Sequence, residues 1–382
     1  LHTFTNQWFD YSEDRMIEAI KSMPGGAGVA LSTHDAIPGT PLDGITITSK
    51  VSIDPENAFI EVDLTDNPDA LQCGLNVSEA CTRTSTMIGI FNSIDNTVPK
   101  NAGAFRRVKL HLKDNGVVGI PRHPTSCSAA TTNLADRVQN STMRAMAEIG
   151  EGLGMGEIGC FCPPSTSVVS GTDPRNEKPY VNQLFLGHTA GAGAPREDAW
   201  MTMLHAGNGG MCFIDSVELD EIYTPIHVQT RRLIADSEGA GRFRGAPGIE
   251  VELRPVSCRM EAGFVADGNI HNPLGARGGE AAAKSDQFRR TRNGKLERLD
   301  QCSQVWIEDG EALVSIACGG GGYGDPKTRD PIRVLIDVQQ GLVSRTRAKN
   351  VYGVVVTERM EVDETCLLYT SDAAAERSSV DL

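Results

Sequence analysis

Residues 45–64 read ITITSKVSIDPENAFIEVDL, with apolar side chains at alternate positions on both sides of a central turn. The turn itself, Asp54-Pro55-Glu56-Asn57, is composed of residues that favour reversal of the chain. Alternation with period two places the apolar side chains on one face of a sheet. The stretch therefore predicts an antiparallel β-hairpin with one buried face. Its alternating positions are Ile45, Ile47, Val51, Ile53, Ala58, Ile60, Val62 and Leu64.

Helical patterns lie on either side of this hairpin. Ser12 is placed to cap a helix that ends at Pro24-Gly25-Gly26, because a hydroxyl before an apolar run satisfies free backbone N–H groups. Residues 131–149 carry apolar positions at helical spacing and stop at Gly150. Between these helices, the Asn115-Gly116 pair after residues 108–112 predicts a second hairpin that returns through residues 117–120.

The last third of the chain is rich in strand patterns and finishes with helical ones. Residues 249–253, 305–307 and 313–315 alternate, which is typical of half-buried strands. Asp330 followed by Pro331 predicts the start of one short helix, and Ser344 predicts the start of another. The fold class predicted is α+β, with mixed hairpins and helices first and a mainly antiparallel β part ending in two short helices.

Domain limits follow from these patterns and from the two ends of the chain. We expect an α+β region over residues 1–235 and a β-rich domain over residues 236–365, divided at the Gly-rich stretch that follows residue 235. Residues 366–382 have no sustained apolar period and are expected to be a non-native or disordered tail that adds nothing to the fold. The chain begins at Leu1, so we expect it to be part of a longer reading frame.

Composition excludes several classes of protein. Of 382 residues, 40% are hydrophobic, and 36 Lys and Arg against 50 Asp and Glu give a net charge of −14. A negative field of this size disfavours nucleic acid and anionic membranes as partners. The sequence contains no apolar run of spanning length and no signal-peptide pattern, which favours a cytoplasmic location. The ten cysteines are expected to be reduced, mostly buried thiols.

Familiar catalytic and nucleotide motifs do not occur. The sequence has no Gly-x-x-x-x-Gly-Lys-Ser/Thr loop, no Gly-x-Ser-x-Gly turn and no His-Glu-x-x-His helix. Residues 239–245 only approach a dinucleotide fingerprint, because the third glycine comes one residue late. None of the motifs in the sequence therefore specifies a reaction by itself.

Glycines crowd the stretch from residue 150 to residue 210, where periodicity fails. Loops of this kind either approach a ligand closely or pack against another backbone. His188, Asp198 and His205 lie among them and are candidates for facing a substrate or a partner. The alternative is a packed loop region in which these residues have no chemical task.

Three further candidates lie near glycines in the C-terminal half. Arg242 and Arg244 are two positions apart, so on an extended segment they share a face and are placed to clamp a carboxylate; plain solvation at the surface is the alternative. Tyr323 follows four glycines that allow positive φ and close backbone approach. A loop folded against a site or a partner fits this pattern.

Three stretches carry a resemblance to a known family. Residues 236–245, DSEGAGRFRG, are similar to the Asp-Ser-Gly-Gly-Ala-Gly-Arg-Phe-Arg-Gly signature of hydantoinase B/oxoprolinase proteins, with Glu238 as the single departure. Residues 319–326, GGGGYGDP, and the blocks that follow to residue 355 resemble the C-terminal part of the same family. With weaker similarity around Asp63, Asn76 and residues 102–106, the resemblance covers nearly all of residues 11–358. The signature positions are Asp236, Gly239, Gly241, Gly245, Gly319, Gly320, Gly321 and Gly322.

The resemblance implies a reaction and a partner. In that family the B component acts with a larger, nucleotide-binding A component in ATP-dependent opening of a cyclic amide such as N-methylhydantoin or 5-oxoproline. The related alternative is ATP-dependent carboxylation of a ketone, and a third is a non-catalytic assembly module. The implied partners are an A-type subunit in a hetero-oligomer and a small cyclic amide, with no nucleic acid and no membrane.

The resemblance also implies cofactors. The family's metal ligands lie in Asn-Asp-Pro-Tyr-type and His-His-x-Asp-Ile-Gly-Gly-type stretches of an N-terminal segment, and neither stretch occurs here. A divalent metal, Zn or Mn, is therefore expected in a missing N-terminal segment, and ATP on the partner subunit. No catalytic residue is assigned in this chain, no metal is expected in it, and the chain alone is expected to be inactive.

Overall fold

The computed structural model describes residues 2–199, 203–205 and 210–363. The helices in these ranges are α1 (His2–Lys21), α2 (Glu79–Phe91), α3 (Ala102–Phe105), α4 (Leu134–Ile149), α5 (Val217–Tyr223), α6 (Pro331–Gln339) and α7 (Arg345–Asn350). The strands are β1 (Gly26–His34), β2 (Ile45–Asp54), β3 (Phe59–Asp63), β4 (Val108–His111), β5 (Lys113–Asp114), β6 (Gly119–Ile120), β7 (Val168–Asp173), β8 (Lys178–Gln183), β9 (Met203–His205), β10 (Gly210–Cys212), β11 (Ile226–Leu233), β12 (Ile249–Pro255), β13 (Met260–Val265), β14 (Asp286–Arg290), β15 (Leu296–Arg298), β16 (Cys302–Ile307) and β17 (Ala312–Ala317).

The N-terminal layer is a four-stranded sheet covered by helix α4. Its strand order is β1-β2-β3-β4, and β2 pairs antiparallel with β3 so that Ile53 lies opposite Ile60. The hairpin predicted over residues 45–64 is therefore confirmed. Helix α4 passes so close to β1 that a Cβ on Gly28 would lie 2.1 Å from the Ala145 carbonyl oxygen. Glycine is required there because nothing larger fits between strand and helix.

Helix α1 ends where the sequence predicted, but its predicted start is wrong. Ser12 lies in the middle of the helix, fully buried, and its Oγ donates to the Trp8 carbonyl oxygen at 2.7 Å. The same hydroxyl accepts a hydrogen bond from the Asn101 side chain at 2.8 Å. A hydroxyl can be accommodated within a helix when it bonds back to the preceding turn, so a serine before an apolar run does not by itself fix a helix start.

The second predicted hairpin is also wrong. Strand β4 pairs parallel with β3, and β5 pairs parallel with β6 around Asn115. Val117 and Val118 turn into the core, and the Val77 amide donates to the Val117 carbonyl oxygen at 2.7 Å. Pairing with a distant segment overrides the local turn preference of Asn-Gly.

Two antiparallel sheets form the second layer. One has the order β11-β12-β17-β14-β15, and the other has the order β16-β13-β7-β8. Val251 and Leu313 from the first sheet share one apolar core with Val169 and Met260 from the second. A shared core of this kind is that of two sheets packed face to face.

The predicted α+β class is confirmed, including the two C-terminal helices. Asp330 and Ser344 cap α6 and α7 through their side-chain oxygens, as predicted. The division at residue 235 stays a prediction, and the face-to-face sheets take strands from both sides of it, since β7 pairs with β13 and β11 pairs with β12. The tail predicted over residues 366–382 lies outside the described residues. Within the described ranges, no helix has the length and apolarity needed to cross a membrane.

Candidate functional site

The signature glycines are packed against one another inside the molecule, and we call Gly239, Gly241, Gly245 and Gly319–Gly322 the glycine core. A Cβ on Gly245 would lie 1.8 Å from the Gly320 carbonyl oxygen, and one on Gly322 would lie 2.0 Å from that of Ala240. The expected close backbone approach is confirmed. The four glycines 319–322 do not use the positive φ that they allow, and the left-handed residue is the following Gly324, with φ 75°.

Backbone hydrogen bonds join the segments of the glycine core. Gly239 donates to the Gly320 carbonyl oxygen at 2.8 Å, and Tyr323 donates to that of Phe243 at 2.9 Å. The Tyr323 side chain is 5% exposed and its hydroxyl donates to the Leu153 carbonyl oxygen at 2.9 Å. Tyr323 thus extends the core toward the N-terminal layer and does not present its ring to solvent.

A network of two arginines and two aspartates lies beside the glycine core. Arg329 donates to both carboxylate oxygens of Asp198, at 2.6 and 2.9 Å, and to Asp337 at 2.8 Å. Arg244 donates through Nε to Asp337 at 2.9 Å and through its backbone amide to Asp198 at 2.9 Å. Arg329, Arg244 and Asp337 are buried, so the network is desolvated on its inner side.

The charges in this network hold Asp198 ionised. Burial alone would raise the pKa of the Asp198 carboxyl, but the hydrogen bond and the charge of Arg329 outweigh it and the pKa is lowered. The pKa of Arg329 is raised, because hydrogen bonding and charge from Asp198 exceed the opposing effect of burial. Asp198 is therefore a fixed carboxylate rather than a proton carrier near neutral pH.

The two arginines of the signature do not act as one clamp. Arg242 is exposed and its guanidinium lies 5.6 Å from the centre of the Phe243 ring, whereas Arg244 is buried on Asp337. The shared face predicted from their spacing is wrong, because the chain here follows the irregular path of the glycine core. Arg244 does bind a carboxylate, and that carboxylate belongs to its own chain.

Neither candidate histidine is among the described residues of this network. His188 is buried and its Nε2 is 2.8 Å from the Pro247 carbonyl oxygen. Burial lowers the pKa of His188 to about 4, so the ring is neutral near pH 7. His205 lies in strand β9, paired with Gly210, and its side chain falls outside the described part of the chain.

The remaining signature residues anchor the C-terminal helices. Asp236 accepts a hydrogen bond from the Ser344 amide at 2.6 Å, directly before α7. Glu238, the departure from the family pattern, is buried and accepts from Arg347 Nε at 2.6 Å and from the Tyr352 hydroxyl at 2.9 Å. These contacts give the signature a structural task at both positions.

A cleft of about 880 Å³ opens beside Asp198. The loop after α2, residues 92–96, forms one side, and residues 191–199 form the other, with Gly152 and Met155 between them. This volume lies within the range of small-molecule sites. Of the sequence-predicted candidates whose side chains the structure describes, only Asp198 lines the cleft.

The described residues do not offer a metal-binding ligand set. Across residues 2–199, 203–205 and 210–363, no group of three or more His, Cys, Asp or Glu side chains is arranged to hold a metal ion. The Nε2 of His188 is already bonded to a carbonyl oxygen, and Asp198 is held by Arg329. These side chains therefore do not fit the divalent metal that the family resemblance implies.

Sequence reasoning missed a second buried ionic cluster, which joins the two layers. Arg137 on α4 is fully buried and donates to Asp267 at 2.8 Å and to Glu157 at 3.2 Å. Its Nη2 also donates to Cys160 Sγ at 3.1 Å. Burial would raise the pKa of Asp267, but the charge of Arg137 outweighs it and the pKa is lowered. The carboxylate partners of Arg137 lie 20 and 130 residues away in sequence, so no local pattern marks them.

Arg329 and Asp337 were missed for the same reason. Both belong to the C-terminal blocks that resemble the family, but their partner Asp198 lies 131 residues before Arg329. No local pattern distinguishes them from the exposed charged residues Asp330 and Arg333 of the same segment.

Comparisons with known proteins agree over most of the chain. The sequence profile described as Hydantoinase B/oxoprolinase matches residues 1–326. The caprolactamase subunit beta of Pseudomonas jessenii is 27% identical over 93% of this chain, and the acetophenone carboxylase delta subunit of Aromatoleum aromaticum is 26% identical over 75% of it. The chain spans 61% and 47% of the lengths of these two subunits.

A solved structure shows the same fold. The crystal structure of the ATP-dependent caprolactamase from Pseudomonas jessenii superposes with a TM-score of 0.80 at 22% sequence identity, covering 96% of this chain and 63% of that one. At this identity the likeness concerns the fold.

Proposed function

Since the chain belongs to the hydantoinase B/oxoprolinase family, we propose that it is a component of an ATP-dependent cyclic amide hydrolase, acting with a nucleotide-binding A-type subunit. The observation that carries the proposal is the 27% identity to a caprolactamase beta subunit along 93% of the chain. The cleft beside Asp198 supports it, because about 880 Å³ accommodates a small ring together with parts of its surroundings.

The motifs that the sequence does not contain determine how we assign the cofactors. It has no phosphate-binding loop motif, so ATP is assigned to the partner subunit. A divalent metal, Zn or Mn, is assigned to polypeptide outside this sequence, because the described residues do not fit one. On this proposal the chain by itself does not hydrolyse cyclic amides and works in a hetero-oligomer.

The test is reconstitution of the complex. A polypeptide that carries this chain together with the metal-binding segment assigned above is co-expressed with its A-type subunit, and ATP-dependent opening of caprolactam, hydantoin and 5-oxoproline is followed by release of ADP and of the linear product. Activity toward at least one cyclic amide, lost when either subunit is omitted, is the expected result. A complex that forms and consumes no ATP with any cyclic amide would contradict the proposal.

Ketone carboxylation is the second candidate, favoured by 26% identity to an acetophenone carboxylase subunit. The same complex is therefore assayed with acetone and acetophenone in the presence of ATP and labelled bicarbonate. Incorporation of label into acid-stable product, without amide hydrolysis, would replace the hydrolase assignment. Assembly with the partner but no activity in either assay would identify a module that only shapes the complex.

A further inference from the structure

The cleft beside Asp198 has one wall that is held rigidly. The backbone amide of Ala199 donates to the Arg244 carbonyl oxygen at 2.9 Å, and that of Ala194 donates to the Glu197 carbonyl oxygen at 3.1 Å. The Asp198 side chain is fixed by Arg329 in the ionic network described above. Residues 196 and 197 therefore project from a turn whose backbone is fixed on both sides.

Within the part of the chain that the structure describes, four charged residues line the cleft, and two of them already have partners. Asp198 is paired with Arg329, and the Asp95 carboxylate accepts two hydrogen bonds at 2.8 Å from the amide and the hydroxyl of Thr97. Arg196 and Glu197 are exposed, and neither side chain has a hydrogen bond or ion pair to any residue in the described ranges. The cleft thus presents one positive and one negative group from neighbouring positions.

The rest of the cleft is lined by apolar side chains and by polar side chains of the loop after α2. Met155, Ala192 and Pro195 line it, and the mostly buried Ile94 closes the far side. A ligand that matches this arrangement has an aliphatic body with an anion at one point and a cation at another. Charge-assisted hydrogen bonds to guanidinium and carboxylate would fix its two ends.

This inference rests on the proposed hydrolase function, and the chemistry of amide opening narrows the substrate class. Hydrolysis of a lactam adds water across the C–N bond, which leaves a carboxylate on carbon and an ammonium on nitrogen of one chain. Hydrolysis of a hydantoin leaves a carboxylate and an uncharged carbamoyl group. Ketone carboxylation leaves a carboxylate and no cation.

We propose that the cleft binds the linear amino acid that lactam hydrolysis releases, with Arg196 holding its carboxylate and Glu197 its ammonium group. An intact lactam carries neither charge, and the opened hydantoin offers a carboxylate without an ammonium group, so both charged contacts form only with the lactam product. Asp198 positions this wall through Arg329 and does not contact the ligand's ammonium in competition with Glu197.

The test is direct binding to the full chain, with 6-aminohexanoate as the probe, since it is the amino acid that hydrolysis of caprolactam yields. Isothermal titration compares it with hexanoate, which lacks the ammonium, and with hexylamine, which lacks the carboxylate. Each truncated probe is expected to bind at least about tenfold more weakly, the loss associated with one hydrogen bond to a charged group.

Substitutions in the cleft test which residue binds the carboxylate and which binds the ammonium group of the ligand. Arg196→Ala is expected to weaken 6-aminohexanoate about tenfold and to leave hexylamine unchanged, while Glu197→Ala weakens 6-aminohexanoate and leaves hexanoate unchanged. Arg196→Lys retains part of the affinity. Arg345→Ala and Glu358→Ala, exposed positions away from the cleft, are the matched controls and should bind as the parent does.

Equal affinity for the three probes, no binding of any of them, or insensitivity to both cleft variants would overturn the inference. These outcomes are distinguishable from failure of the proposed function. If the reconstituted complex hydrolyses cyclic amides while 6-aminohexanoate does not bind this chain, the site is wrong and the function stands. If the probe binds as expected and the complex hydrolyses no amide, the site stands and the function fails.

Discussion

Glu238 replaces a glycine of the family signature and forms contacts that a glycine could not. Its carboxylate receives hydrogen bonds from Arg347 and Tyr352, both in the segment around α7. Burial raises the pKa of Glu238, in opposition to the charge of Arg347. At the residue scale, therefore, the departure ties the segment around α7 to the glycine core.

His188 gives the molecule a calculable sensitivity to acid. Its pKa is about 4 in the folded chain against an ordinary value of 6.5, so between these values the unfolded chain binds a proton that the folded chain does not. This contribution is fully present above pH 6.5 and is lost as pH falls toward 4. We expect His188 to account for a loss of about 2 kcal/mol in unfolding free energy between pH 7.5 and pH 5.

Urea unfolding at the two pH values measures this loss. His188→Gln keeps a donor for the Pro247 carbonyl oxygen but does not titrate, so the drop from pH 7.5 to pH 5 should shrink by that amount relative to the parent. An equal drop in parent and variant would mean that carboxyls whose pKa the fold lowers, such as Asp198, control the acid response instead.

Arg329 and Arg333 both contact Asp198. Because they differ in burial, we expect them to contribute differently to the free energy of unfolding. The Arg329 side chain is 1% exposed and also neutralises Asp337, while the Arg333 side chain is 46% exposed. Arg329→Met leaves Asp337 buried without that partner, so a loss of about 3–5 kcal/mol in unfolding free energy is expected. Arg333→Met, the control, should cost less than about 1 kcal/mol. Similar losses measured by denaturant titration would contradict the assignment.

At the scale of elements, the segments of the glycine core can pack this closely only because their glycines have no side chains. A Cβ on Gly320 would lie 1.9 Å from the Gly191 carbonyl oxygen, whereas one on Gly263 in β13 would meet nothing within 4 Å. Gly320→Ala should therefore lower the unfolding free energy by about 3 kcal/mol or more, at or beyond the upper end of ordinary overpacking, because backbone must move. Gly263→Ala should change it by less than about 1 kcal/mol. Comparable thermal midpoints for the two variants would contradict the packing described.

Elements with a local signal were predicted, and those with a distant partner were not. The β2–β3 hairpin, α6 and α7 carry their pattern and their caps within a few residues. Strand β4 pairs with β3, which lies more than 40 residues earlier in the chain, so the hairpin predicted from Asn115-Gly116 does not form. In the candidate site, Asp198 could be proposed from its glycine-rich surroundings, but Arg329 and the cleft arise only when the chain is folded.

At the scale of the whole molecule, Arg137 links the N-terminal layer to the face-to-face sheets through Asp267 and Glu157. Both carboxylates are nearly inaccessible to solvent. Arg137→Met removes this partner from each of them, so we expect the free energy of unfolding to fall by about 3–5 kcal/mol. We expect one calorimetric transition in the parent and two in the variant, since the layers lose their shared charge cluster. Arg83→Met, which removes an exposed ion pair with Glu79 within α2, is the control and should keep a single transition. A single transition at an unchanged temperature in Arg137→Met would contradict this coupling.

The glycine core also bears on how the polypeptide is synthesised. Its backbone contacts join residue 191, residues 239–245 and residues 319–322, so the arrangement cannot close until the ribosome has released the chain beyond residue 322. Contacts of such long sequence separation slow folding and prolong the exposure of nascent strands. The segment that identifies the family thus waits for partners that are synthesised later. The apolar face of β12, already outside the exit tunnel during that wait, is where chaperones should bind the growing chain.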